Sequence, residues 1–83
     1  MKYISLQSTD PFLLARMAVD IELHGKKRDL SWNVFDPFKV ETWLIYYDWC
    51  GFQFHNHPGC GSPERIELTN GNYLTVLNKI INP

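Results

Sequence analysis

DPFKVETWLIYYDWCGFQFH, residues 36–55, is the stretch on which the rest of the chain turns. Asp36 suits a helix N-cap, because its carboxylate accepts from the orphan amides of a first turn. Pro37 suits the first helical position, where its missing N–H costs nothing. Val40, Trp43, Leu44 and Tyr47 recur at i, i+3, i+4 and i+7 as one apolar stripe, and Lys39, Thr42 and Tyr46 form a more polar one. The spacing predicts a helix between Asp36 and Gly51. Phe52-Gln53-Phe54-His55 alternates and predicts a strand after it.

The same punctuation occurs upstream. Asp10-Pro11-Phe12 repeats Asp36-Pro37-Phe38, and Gly25 stands as far beyond Asp10 as Gly51 does beyond Asp36. Between them Leu14, Met17, Ala18 and Ile21 make a single apolar stripe. Gly25 can end that helix in the left-handed conformation, and Lys26 and Lys27 complement the negative end of its dipole. A competing pattern runs through Val19-Asp20-Ile21-Glu22-Leu23-His24, which alternates as a half-exposed strand would.

Three further segments read as strands. Tyr3 and Ser5 face one way in Lys2–Leu6, with Ile4 and Leu6 the other; Leu30, Trp32 and Val34 share a face in Leu30–Phe35; Ile66 and Leu68 point inward in Glu64–Thr69. Asn70-Gly71 signals a turn. A three-residue loop, Asn70-Gly71-Asn72, pairs Leu68 with Leu74 and Ile66 with Val76, putting apolar residues on one face, so a C-terminal hairpin is expected. The rival is a helix capped by Asn72, with Thr75, Asn78, Lys79 and Asn82 as its polar stripe. The expected architecture is a single α+β domain over residues 1–83, an antiparallel sheet of about four strands with two helices packed on one face.

The chain has 83 residues and twelve aromatics, nine of them between Trp32 and Phe54. A domain of this size buries only about 60–65% of its unfolded surface, and each ring can hide roughly 150–250 Å², so that stretch should supply most of the core. A net charge of −1 gives no field for steering onto nucleic acid or an acidic membrane. Lys26-Lys27-Arg28-Asp29 is the one dense charge run and reads as a solvated loop or local anion contact. The N-terminal residues lack the apolar core of a signal peptide, and no apolar run approaches the ~18 residues of a membrane span. The expectation is a cytoplasmic protein with reduced cysteines.

One cluster has metal-binding chemistry. Cys50, His55, His57 and Cys60 read C-x4-H-x-H-x2-C, the donor set of a tetrahedral zinc site. The spacing departs from paired Cys or His knuckles, and all four ligands fall within eleven residues. A zinc-stabilised small binding module, contacting nucleic acid, is therefore the alternative, and no cofactor is the primary expectation. Cys60 with His57 resembles the start of a nucleophile–base pair, but no third group orients it. No phosphate loop or dinucleotide fingerprint is present. The chain is not expected to be an enzyme.

Protein recognition remains. Trp43, Tyr46, Tyr47 and Trp49 on one short helix spread around it at about 100° per residue, so one sheet cannot hide them all. A protein partner or a second copy would cover the outer rings, with Tyr46, Trp49, Phe52 and the Lys26, Lys27, Arg28 run as the contact residues. The expected function is non-enzymatic protein binding, by a small inhibitor or adaptor of the kind bacteriophages direct at a host enzyme or defence system.

Overall fold

The computed structural model describes residues 3–26, 42–47, 51–59, 61 and 63–82. The strand expected over Leu30–Phe35, the first half of the helix expected after Asp36, and Lys27, Arg28, Trp49, Cys50 and Cys60 lie outside these residues. The described elements, in chain order, are β1 (Tyr3–Gln7), α1 (Pro11–Leu23), β2 (Trp43–Tyr47), β3 (Gly51–His55), β4 (Glu64–Glu67) and α2 (Tyr73–Ile81). The strands form one sheet in the order β3-β2-β1-β4.

α1 follows its sequence signals closely. Asp10 is the N-cap and its carboxylate accepts from the Phe12 amide at 3.0 Å. At the other end Gly25 has φ +80°, and its N–H and that of Lys26 donate back to the carbonyls of Glu22 and Ile21, at 3.0 and 3.3 Å. That pair of bonds is the Schellman arrangement, which satisfies orphan carbonyls and needs a left-handed residue. Leu14, Met17 and Ile21 are fully buried on the sheet side. Each stabilises by about 1.5–3 kcal/mol relative to exposure.

The helix expected between Asp36 and Gly51 is corrected at its second half: Trp43–Tyr47 is strand β2, in the middle of the sheet. It pairs antiparallel with β1 (Leu6 opposite Leu44, Ile4 opposite Tyr46) and with β3 (Leu44 opposite Phe54, Tyr46 opposite Phe52). WLIYY satisfies both periods, because a run apolar at every position carries a helical stripe and a two-sided strand equally well. β-branched and aromatic content favours the strand. Burial on both faces completes the case: Leu44 and Ile45 point to opposite sides and neither is exposed.

The C-terminal hairpin is likewise corrected. Residues 73–81 form α2, and Tyr73, Val76, Leu77 and Ile80 are its buried stripe. Asn72 supplies the physical reason. Its side chain turns back, accepting from the Thr69 amide (2.7 Å) and donating to the Glu67 carbonyl (2.8 Å). The Asn70-Gly71-Asn72 turn is thereby closed on itself and launches a helix rather than a return strand. β4 finds its partner elsewhere, parallel to β1, with Leu6 opposite Ile66. The four-stranded α+β sheet with two helices on one face is as expected, but the sheet is mixed rather than wholly antiparallel.

Ile4, Leu6, Leu44, Tyr46, Phe52, Phe54 and Ile66 line one sheet face and join the buried residues of both helices in one core. A polar tie fixes α1 to α2: the buried Tyr73 hydroxyl donates to Asp20, and the Arg16 guanidinium sits 4.3 Å over the Tyr73 ring. Burial, then the Asp20 bond, push the Tyr73 hydroxyl well above its ordinary value of 10. A raised folded-state pKa means stability that is intact below pH 10 and declines above it. Tyr73→Phe is expected to cost about 1.5–3 kcal/mol, the range for a bond to a charged group, and to flatten that alkaline decline; urea denaturation at pH 7 and pH 11 measures both.

Candidate functional site

The second sheet face carries Tyr3, Ser5, Ile45, Tyr47, Gln53 and His55, by the same registers. β3 and β4 run parallel at opposite edges, so their connection is a crossing of the sheet, and Pro58, Gly59 and Gly61 of that connection lie on this face. The Ser5 hydroxyl donates to the Pro58 carbonyl. Gly59, at φ +96°, lies so close that a Cβ there would come within 3.2 Å of the Tyr3 ring and 3.3 Å of Ile45. Tyr3 stacks on Tyr47 with ring centroids 5.3 Å apart.

His55 and His57 sit at the start of this crossing with ring centroids 4.7 Å apart. His55 Nε2 and Gln53 Oε1 are 2.7 Å apart, and the Gly59 amide donates to His57 Nδ1 at 3.2 Å. Burial first, then the neighbouring His57, hold His55 below its usual 6.5. With Nδ1 of His57 accepting, the neutral ring carries its proton on Nε2. A metal at that nitrogen would need the proton moved and the Gly59 bond broken. The structure thus brings His55 and His57 together as their i, i+2 spacing suggests, but the contacts it gives them tie down the crossing. Among the described residues no three His, Cys, Asp or Glu side chains are grouped to hold a metal. Cys50 and Cys60 are not among them.

The outward patch expected over Tyr46, Trp49 and Phe52 is corrected for two of its members. Tyr46 is 7% exposed and Phe52 2%; they face each other across β2 and β3 inside the core. The reason is the exchange of helix for strand, since alternation sends Tyr46 to the same side as Leu44. Lys26 is half-buried at the end of the Schellman turn.

A different surface is apolar and open. Phe12 is 64% exposed, Val19 55% and Leu23 77%, all on α1. At 100° per residue they fall within about 40° of one another, directly opposite Leu14, Met17 and Ile21. Within α1 only Arg16, Asp20 and Glu22 are charged or polar. A helix apolar on both sides is ordinarily buried on both sides. The signal is present in the sequence as the spacing i, i+7, i+11, which overlaps the inward stripe of the same helix. Leu74 of α2 is also open, at 67%.

Among the described residues no helix is long and apolar enough to cross a membrane. No protein-family model matches this chain, and no significant match is found among curated proteins or solved structures.

Proposed function

We propose that this chain is a non-enzymatic protein-binding domain, an inhibitor or adaptor, and that the outer face of α1 is its docking surface. The observation that carries the reading is the Phe12, Val19, Leu23 stripe, each side chain more than half exposed, on a helix whose other side is locked into the core. Covering any one of these side chains is worth about 1.5–3 kcal/mol, so a partner that covers all three gains enough to bind. Pre-organisation helps, because a capped helix loses little freedom on docking.

The polar side chains support a structural rather than a catalytic assignment. Asp20 is held by Tyr73 and lies 3.8 Å from Arg16, Glu64 pairs with Lys79, and His57 holds the Gly59 amide. Tyr46 and Phe52, two of the rings first expected to bind, are inside the fold, and binding passes to aliphatic residues and Phe12.

The test is affinity capture with the wild-type chain and with a Val19→Glu/Leu23→Glu variant. Both sites are exposed, so the melting temperature should move little. Partner affinity should fall at least tenfold, the equivalent of about 1.4 kcal/mol. Undiminished capture by the variant would remove α1 from the interface.

A further inference from the structure

We propose that Asn70 is a site of spontaneous covalent modification: the Gly71 amide displaces ammonia from its carboxamide, and the isoaspartate that follows loosens the turn ahead of α2. The sequence narrows the choice. The chain has six asparagines, Asn33, Asn56, Asn70, Asn72, Asn78 and Asn82, and only Asn70 is followed by glycine. Glycine matters because the attacking atom is the main-chain nitrogen of the next residue, and a Cβ beside that nitrogen obstructs its approach. Pro83, after Asn82, has no N–H with which to attack.

The structure leaves this pair free to react. Asn70 and Gly71 are both exposed, between the end of β4 and the start of α2. Among the described residues neither the Asn70 carboxamide nor the Gly71 N–H is in a hydrogen bond, so neither has one to give up. Asn72 and Asn78 differ. The Asn72 carboxamide is bonded through both its oxygen and its nitrogen, and the buried Tyr73 follows it. Asn78 lies inside α2, where the Lys79 amide that would attack belongs to the helix ladder.

The chemistry balances with water alone. The Gly71 nitrogen loses its proton and bonds to Cγ of Asn70; the Cγ–Nδ2 bond breaks, and the nitrogen leaves with that proton as ammonia. The product is a cyclic imide. Water then adds to one of its two carbonyls. Opening at Cγ gives aspartate. Opening at the main-chain carbonyl leaves Gly71 attached through Cγ, which is isoaspartate, with an extra carbon in the main chain. Nothing is oxidised or reduced.

That extra carbon falls inside a short closed loop. The Thr69 amide donates to Asn72 Oδ1 at 2.7 Å, and the Asn72 amide donates back to Thr69 Oγ1 at 3.2 Å. Residues 69 and 72 are thus clamped to each other across Asn70 and Gly71. Lengthening the span pulls on both bonds, and the buried Tyr73, next in the chain and tied to Asp20, is the first residue of α2 to be disturbed. Aspartate at the same position keeps the span and adds a negative charge near the N-terminal end of α2, where the helix dipole favours it.

The full chain is aged at mildly alkaline pH, folded and in parallel in urea, then digested; peptide masses and labelling by an isoaspartyl methyltransferase locate the products. In the folded chain Asn70 is expected to convert at least tenfold faster than any other asparagine, and at least tenfold slower in Gly71→Ala. The fold accepts that variant, because Gly71 is not among the positive-φ glycines and an added Cβ meets only Thr69 Oγ1, at 3.7 Å. The isoaspartate form, separated by ion exchange, should melt several degrees below the fresh chain, whereas Asn70→Asp should melt at or above it. Conversion at Asn70 that proceeds in urea but not in the folded chain overturns the proposal, as does equal conversion in Gly71→Ala or an isoaspartate form that melts with the fresh chain.

Discussion

Replacing Tyr46 with alanine lowers stability by about 3–5 kcal/mol, the range for deleting a buried ring. A chain of 83 residues has about 4–12 kcal/mol in total at 0.05–0.15 kcal/mol per residue, so the variant loses a quarter or more of its stability. The cause is placement. Tyr46 sits on a central strand, flanked by Ile4 on β1 and Phe52 on β3, with only 7% of its surface exposed. The ring cannot be truncated without leaving a cavity among residues held on three sides. Val19→Ala, on the open face of α1, is the control and should stay within about 0.5 kcal/mol. Urea denaturation followed by far-UV circular dichroism compares them. A Tyr46→Ala cost below 1 kcal/mol would restore the reading in which 43–47 is helical and Tyr46 faces outward.

Gly59→Ala is expected to cost about 2–6 kcal/mol. Backbone strain at a positive φ contributes about 1–3 kcal/mol, and forcing a methyl group against packed neighbours about 1–3 more. Gly59 has φ +96°, and its added Cβ would press on the Tyr3 ring and on Ile45, which lies on a central strand and is fully buried. Gly25 separates the two contributions. It also has a positive φ, +80°, but an added Cβ meets nothing within 4 Å. Gly25→Ala should therefore carry the backbone strain alone, about 1–3 kcal/mol. For a domain this small each kcal/mol moves the melting temperature by roughly 4–8 °C, so the two variants separate clearly in a thermal scan. Equal shifts would mean that Gly59 does not press on the sheet.

The docking surface proposed on α1 was the least legible part of the chain, and the reason is specific. Phe12, Val19 and Leu23 carry no chemistry that marks a site, and each looks ordinary in a helix. They become a surface only once Leu14, Met17 and Ile21 are seen to occupy the sheet side completely. Tyr46 and Phe52 drew attention for the opposite reason: rings are common at interfaces, but equally common in cores, and burial alone distinguishes the two.

Local chemistry in the sequence determined the elements whose signals are local. Asp10, Pro11 and Gly25 specify where α1 starts and stops through bonds made within a turn of themselves, and the alternation of β1, β3 and β4 needs no distant partner to be read. Tertiary structure decided where the local signals were degenerate. WLIYY is compatible with helix and strand, and it is a strand because β1 and β3 offer ladders on both sides and both of its faces find cover. Residues 73–81 are helical because Asn72 closes the turn before them and because β4 pairs with β1, sixty residues away in the chain, which leaves the C-terminal segment a core face to cover. Where a segment's own periodicity is degenerate, the hydrogen-bonding partner available in space breaks the tie.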